Sequence, residues 1–305
     1  MSDTLELQVG HRTVGISHPD KRLFRNPTVR KVDLARYYAR IAPLMIPHTR
    51  DRPLTVQRFP DGIDRKGFFQ KHAPQSTPSW IRTARLAKRD GQVDHVVAED
   101  AATLVHLANL SMITPHVGLS RLDDIQHPDR LIFDLDPSRT DAGAFEDVRF
   151  AAFRIGEALD RLGITSFVQT TGSRGLHVVA PIRRSMPFDD VRDFAQTLAA
   201  RLSSRYPDRL TIEHRRSKRR HRVFLDFLRN AYGQTAVVPY GVRALPGAPV
   251  ATPLEWSELK RPALGPQSYS IRNVFRRLGQ KACPWRSLTR RHCDLERAVA
   301  RLAQR

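Results

Sequence analysis

Asp134 and Asp136 stand two residues apart in LIFDLDP, and Asp226 stands in RVFLDFLRN. Side chains two apart on a strand share a face. Asp134 and Asp136 therefore leave a strand together, Phe133 and Leu135 face the other way, and Pro137 ends the strand, so the acids sit at a rim. Two adjacent carboxylates repel unless a cation neutralises them, and oxygen ligands suit Mg²⁺ or Mn²⁺. Asp226 sits among Val223, Leu225 and Phe227, where an unpaired carboxylate costs several kcal/mol. If the two strands neighbour each other in one sheet, three carboxylates converge. That set suits two metal ions about 3.5–4 Å apart, which activate an attacking oxygen and stabilise a leaving one. Nucleotidyl transfer and phosphodiester hydrolysis both use such a site. A solvated acid pair and an arginine-paired Asp226 are the structural alternatives.

Thr171-Gly172-Ser173-Arg174-Gly175-Leu176-His177 is the second candidate. Its two glycines let backbone approach a ligand and expose N–H groups to an anion. Thr171 and Ser173 add hydroxyls, and Arg174 and His177 add positive charge. Beside three acids this reads as a triphosphate cradle. The basic run HRRSKRRHR at 214–222 leads into the Asp226 strand and suits triphosphate or a nucleic-acid backbone. Arg229 and Arg243 follow it. Nearer the N-terminus, Lys21 and Lys31 flank a loop containing Arg22, Arg25 and Arg30. Phe68 and Phe69 are adjacent on a strand-like run, so at most one is expected in the core, leaving the other to stack on a base. Trp80, Trp256 and Trp285 read as packing residues, His106 as a satisfied histidine, and Cys283, His292 and Cys293 lack zinc-ligand spacing.

The middle third must position these groups. Residues 130–135, 165–170, 175–182 and 222–228 read as strands, and 143–162 and 187–204 as helices, with Gly163 and Pro187 as a stop and a start. The order is β-α-β-β-α-β, shared by ferredoxin-like and RNA-recognition-like (RRM) modules. Earlier, 1–30 reads as a strand pair and a loop, 31–42 as a helix ended by Pro43 and Pro47, 54–59, 67–72 and 93–98 as strands, and Asp100 as the cap of a helix to about Leu110. Later come a strand-like stretch at 235–243, a Pro-rich connector at 245–266 and short helices near 270–279 and 290–303, read as packing back on the core.

The 305 residues carry 51 Lys+Arg against 31 Asp+Glu, a net charge of +20 that calls for a polyanionic partner. Hydrophobic residues at 40% rule out wholesale disorder. No apolar run spans a membrane, no export signal opens the chain, and two cysteines exclude a disulfide framework. A reducing cytosol fits these features.

Several stretches resemble one family: FDLDP, TTGSRGLHVVAP and VFLDFLRNAYGQTAVVPYGVRA in that order, with HPDKRLF, DLARYYARIAPLMIPH, RPLTVQRFPDGIDRKGFFQKHAP and LSRLDDIQHPDRL. Together they resemble the polymerase domain of bacterial DNA ligase D, of the archaeo-eukaryotic primase superfamily. The resemblance implies an α+β fold: a primase-like core containing the RRM/ferredoxin-like module, with an N-terminal α/β extension packed on it. It implies one domain over 1–305, with a DNA-binding subregion at 1–115, a catalytic module at 116–245 and a C-terminal extension at 246–305. It implies a metal-dependent nucleotidyltransferase that fills gaps and extends 3′-ends in non-homologous end joining, using NTP or dNTP and two divalent ions, Mn²⁺ or Mg²⁺. Its partners would be DNA ends or gapped duplex with a 5′-phosphate, Ku and an ATP-dependent DNA ligase. By similarity Asp134, Asp136 and Asp226 bind metal. His116, Thr171, Arg174, His177, Arg229 and Arg243 match nucleotide-binding positions, Lys21 and Lys31 those that grip a 5′-phosphate, and Phe68 and Phe69 aromatics that meet the template. Thr171 stands where serine is usual, and His116-Val117-Gly118 replaces the usual His-Pro-Trp. No ligase or nuclease motif is present, so a stand-alone chain or one domain of a longer product is expected. The residues alone also admit a two-metal nuclease, or a non-catalytic end-binding or Ku-tethering module.

Overall fold

The first 118 residues open with two hairpins, β1 (Thr4–Val9) with β2 (Arg12–Ser17) and β3 (Arg22–Phe24) with β4 (Val29–Arg30). Gly10, at φ +61°, turns the first in the left-handed region. The second occupies the stretch expected to be loop. This computed structural model describes residues 3–88, 91–141 and 143–304; Met1, Ser2, Arg89, Asp90, Ala142 and Arg305 lie outside the described residues.

Helix α1 (Lys31–Thr49) starts where Asp33 accepts the Arg30 N–H at 2.9 Å. It does not stop at Pro43 but runs through both prolines. Pro43 and Pro47 are four apart, hence on one face, and both are exposed. The carbonyls they leave without a helical donor therefore lie on the solvent side, where water can satisfy them. The opposite face buries Tyr38, Ile41, Met45 and Ile46. There follow β5 (Leu54–Arg58), β6 (Phe68–Gln70), the hairpin of β7 (Thr83–Lys88) and β8 (Gly91–Val96), α2 (Ala101–Asn109) and β9 (Met112–Val117). Sequence periodicity had not marked β7 or β9. Asp100 caps α2, accepting the Thr103 N–H at 2.7 Å. Asp100→Ala is expected to cost about 1 kcal/mol, read as a lower denaturant midpoint with unchanged slope.

The second stretch holds β10 (Ser120–Arg121) and β11 (Asp124–Pro128), then β12 (Arg130–Asp136), α3 (Ala144–Arg161), β13 (Phe167–Thr170), β14 (Leu176–Pro181), α4 (Phe188–Arg205), β15 (Leu210–Thr211) and β16 (Val223–Asp226). The expected β-α-β-β-α-β unit is present. Its sheet runs β15-β16-β12-β14-β13-β18, where β18 is Pro253–Leu254; β17 (Ala236–Val237) instead joins β9 in the sheet β17-β9-β5-β6. The β12 strand thus lies between β14 and β16, antiparallel to both. Phe133 and Leu135 have no exposed surface; α3 and α4 pack on this sheet through Val148, Ile155 and Leu159 and through Val191, Ala195 and Leu198. The last strand of the unit ends at Asp226 rather than 228, because the Asp226 carboxylate takes the Leu228 N–H at 2.9 Å and turns the chain. Only Ala236–Val237 of the 235–243 stretch is strand.

The chain forms two compact units. One holds residues up to Gly118 with 235–251 and 269–275; the other holds 119–234, 252–268 and the chain from 276. The sequence-based division at 115/116 and 245/246 follows chain order, whereas the units interleave. Within the second unit the connector is woven into the sheet: Thr252 and Thr170 exchange backbone hydrogen bonds at 3.0 and 3.2 Å, and Trp256 Nε1 donates to the Ser166 carbonyl at 3.0 Å. The chain ends in α5 (Val274–Gln280), a 3-10 stretch at Pro284–Arg290 and α6 (Leu295–Ala303). Trp285 Nε1 donates to the Val168 carbonyl. Trp80 packs between the Arg12 guanidinium and the His106 ring. His106 departs from expectation: its Nε2 is buried without a hydrogen-bond partner, and burial lowers its pKa. Among the described residues, no helix is long and apolar enough to cross a membrane.

Candidate active site

In the second unit Asp134 pairs directly across the ladder with Asp226, and Asp136 follows on the same face of β12. The three acids are thus brought together on two neighbouring inner strands of one sheet. Arg229 reaches between two of them, with Nε 3.1 Å from Asp134 Oδ2 and 3.4 Å from Asp226 Oδ2. On the other flank His177 pairs with Asp134 across β14, its Nε2 3.4 Å from Asp134 Oδ1. The buried Gln169 amide lies 3.1 Å from the other ring nitrogen of His177.

The acids divide electrically. Burial pushes the Asp134 carboxyl upward, but His177 and Arg229 outweigh it and hold the pKa at about 2. Burial and the Asp134 charge raise Asp136, and the same two causes raise Asp226. Two of three carboxylates therefore lack enough positive charge. Among the described residues no three His, Cys, Asp or Glu side chains form a ready metal cage. The donor chemistry nonetheless fits divalent ions: closely set carboxylate oxygens, held up in pKa for want of cations.

The Thr171–Gly175 turn lies against β12. A Cβ on Gly175 would sit 2.1 Å from the Leu135 carbonyl oxygen and 3.5 Å from Asp136 Oδ1. Thr171 differs from the expected ligand donor. Its Oγ1 donates to the Gly175 carbonyl and accepts the N–H groups of Ser173 and Gly175, each at 3.2 Å. Two N–H groups expected to face an anion thus turn inward, and the hydroxyl shapes the loop. Arg174 acts electrostatically on Asp136.

The basic run contributes one residue that sequence reading did not single out. Arg219 donates to the Glu213 and His214 carbonyls at 2.8 and 2.7 Å and lies 3.8 Å over the Phe224 ring, opposite Asp136 in the ladder. Burial lowers its pKa against the pull of Asp136 and Asp226. Six basic residues in one run concealed which of them faces the acids.

The first unit holds the remaining candidates. Phe68 and Phe69 are 46% and 62% exposed, so neither is core. The strand β6 is three residues at a sheet edge, and only Gln70 is buried. The Phe69 ring lies 5.5 Å from that of His116 on β9, and the Arg58 guanidinium lies 5.6 Å from the Phe68 ring. Arg243 follows Val242, whose carbonyl accepts the Thr114 hydroxyl of β9 at 2.7 Å. Lys21 and Lys31 are brought together, the Lys31 N–H bonding the Lys21 carbonyl at 2.9 Å. Lys31 is buried, with Nζ 2.7 Å from the Ser17 carbonyl; burial, Lys21 and Arg58 lower its pKa. Lys21 is more open and pairs with Asp61 at 3.2 Å.

A sequence model of the LigD primase-polymerase domain matches residues 30–285. The chain belongs to this family. Over 274 residues, 89% of the chain, it is 32% identical to the multifunctional non-homologous end joining protein LigD of Pseudomonas aeruginosa. It is 29% identical to the bifunctional LigD of Bacillus subtilis over 276 residues, 90% of the chain. These alignments span 32% and 44% of the two relatives, so the chain corresponds to less than half the length of either. The fold matches a polymerase domain from Mycobacterium tuberculosis ligase D, solved in complex with DNA, with TM-score 0.85 and 28% identity. That match covers 92% of this chain and 99% of the other, so the LigD polymerase fold extends over nearly all of it.

Proposed function

We propose that this chain is a template-directed nucleotidyltransferase that fills gaps and extends 3′-ends at double-strand breaks in non-homologous end joining. The observation that carries this is the Asp134–Asp226 cross-strand pair, with Asp136 beside it and the Thr171–His177 loop on the neighbouring strand, in a LigD polymerase-family chain. Asp134, Asp136 and Asp226 would hold two divalent ions, Mn²⁺ or Mg²⁺. Such ions lower the pKa of a primer 3′-hydroxyl and neutralise triphosphate charge. The hydroxyl oxygen forms a bond to the α-phosphorus, and the bond to pyrophosphate breaks.

The chain's own residues orient the reactants. Ser173, Arg174 and Arg219 would hold the triphosphate, a reading supported for the two arginines by their electrostatic interaction with Asp136. By family resemblance Arg229, His177 and the Thr171 turn are proposed nucleotide-binding groups, and so, separately, are His116 and Arg243. Phe68 and Phe69 offer exposed faces on which template bases can stack, whatever their sequence. Labelled primer–template incubated with metal, with and without nucleotides, tests the reading. Nucleotide-dependent lengthening supports it. Shortening alone would indicate a nuclease, and binding without turnover an end-tethering module. Ku and an ATP-dependent ligase are the expected partners, in the cytoplasm of a bacterium.

Lys21 and Lys31 are proposed to hold a 5′-phosphate. A terminal phosphate carries more charge than an internal diester, and Lys31, at the start of α1, adds the positive end of a helix dipole. The wild type is expected to bind a 5′-phosphorylated gap more tightly than a 5′-hydroxyl gap by about 1–3 kcal/mol. The double variant Lys21→Ala with Lys31→Ala should lose that difference yet extend a recessed end normally. A double variant that still discriminates moves the phosphate site elsewhere, with the 215–222 run the next candidate.

A further inference from the structure

The ladder between β12 and β16 has three rungs, Asp134–Asp226, Leu135–Leu225 and Asp136–Phe224. Beyond Asp226 the chain turns away and winds through one 3-10 turn, Leu228–Asn230. The β12 strand continues inward, leaving Ile132 on an edge that β16 no longer covers. The Asn230 carboxamide fills that place. Its Oδ1 accepts the Ile132 N–H at 2.9 Å, and its Nδ2 donates to the Ile132 carbonyl at 2.7 Å. The same Nδ2 donates to the Phe227 carbonyl at 2.8 Å. Asn230 has no exposed surface. An amide that both donates to and accepts from one strand residue imitates the backbone of a paired strand.

The turn so anchored carries Arg229 as well as Asp226. Its position therefore fixes two groups against Asp134: the opposing carboxylate and the guanidinium 3.1 Å away. We propose that Asn230 is a positioning residue for nucleotide addition, supplying with its side chain the missing rung that sets the spacing of Asp134 and Asp226. This rests on the nucleotidyltransferase reading above. It differs from a purely structural role because ion binding at the acids depends on that spacing, while global stability depends only on the hydrogen bonds being made.

Two variants test it. Asn230→Asp is isosteric and can still accept from Ile132, but its carboxylate has no proton for the two carbonyls. Asn230→Ser is neutral and too short to serve both sides of Ile132. Mn²⁺ binding is measured by the loss of the free-ion electron paramagnetic resonance signal, without turnover. The nucleotide kcat and KM are measured separately by primer extension. In folded variants, Mn²⁺ affinity and kcat are each expected to fall about 10–100-fold, as for residues that orient metal ligands, with DNA affinity unchanged. Either variant folding with wild-type Mn²⁺ affinity and kcat overturns the proposal, however much its melting temperature falls. If Asn230→Asp does not fold, Asn230→Ser decides. A wild type that does not extend primers sinks the nucleotidyltransferase reading instead, and the Mn²⁺ measurement alone then judges Asn230.

Discussion

Asp226→Asn is expected to abolish nucleotide addition while leaving a protein at least as stable as the wild type. The carboxylate sits at the end of a buried strand opposite Asp134, and burial and that neighbour raise its pKa. For an acid raised on folding, the charged form is disfavoured by the fold. The resulting penalty is present at neutral pH and fades as pH falls through the folded pKa. Asparagine removes the penalty at all pH values. It also keeps an oxygen to accept the Leu228 N–H, so the turn after β16 survives. Arg229 retains Asp134 as its partner. What is lost is a negative ligand for a divalent ion. Single-turnover extension should fall by about three orders of magnitude or more, a rise in barrier of about 4 kcal/mol. Affinity for a primer–template should remain nearly intact, and the melting temperature should hold or rise. Full extension activity would remove Asp226 from the catalytic set. A melting temperature several degrees lower would show that its charge serves the fold.

Gly175→Ala is expected to cost the module more than any single surface change. The added methyl would sit 2.1 Å from the Leu135 carbonyl oxygen, closer than such atoms are ever found. Leu135 lies between Asp134 and Asp136 and has no exposed surface, so its backbone has no free side to retreat to. Relief must come from moving the turn, and with it Thr171, whose hydroxyl bonds the Gly175 carbonyl. A loss of about 3 kcal/mol or more in unfolding free energy is expected, the scale of overpacking in a rigid interior. Wild-type stability by denaturant titration would mean that the turn is looser than this geometry.

The order of strands and helices in the β-α-β-β-α-β module was legible because each element carries a local signal. The alternation in RLIFDLDP, the stop at Gly163 and the start at Pro187 all act within a few residues. The convergence of Asp134, Asp136 and Asp226 followed from that order. Other features were hidden for identifiable reasons. The prolines of α1 read as breakers, yet whether a proline ends a helix depends on which face bears it, and that is set by tertiary packing. Phe68 and Phe69 read as placing at most one ring in the core; that neither is there follows from a three-residue edge strand, whose length the alternation did not show. The inward turn of the Thr171 hydroxyl and the choice of Arg219 among its basic neighbours depend on backbone geometry that composition does not encode. Asn230 carried no signal, since a buried asparagine and a loop asparagine look alike in sequence.

The edge strand β17 completes the sheet of the N-terminal unit by pairing with β9. Tyr37 on α1 likewise waits for a late partner, donating to the Tyr240 carbonyl at 2.7 Å. On a ribosome these partners emerge about 120 residues after β9, a delay of roughly 6–24 s at ordinary elongation rates. Through that interval the β9 edge displays unpaired N–H and C=O groups, open to strand addition from any neighbouring chain. Newly made protein is thus most exposed to aggregation until Ala236 and Val237 have emerged, and lower growth temperatures or chaperone supply should change the yield of soluble chain more than they change the stability of the finished one.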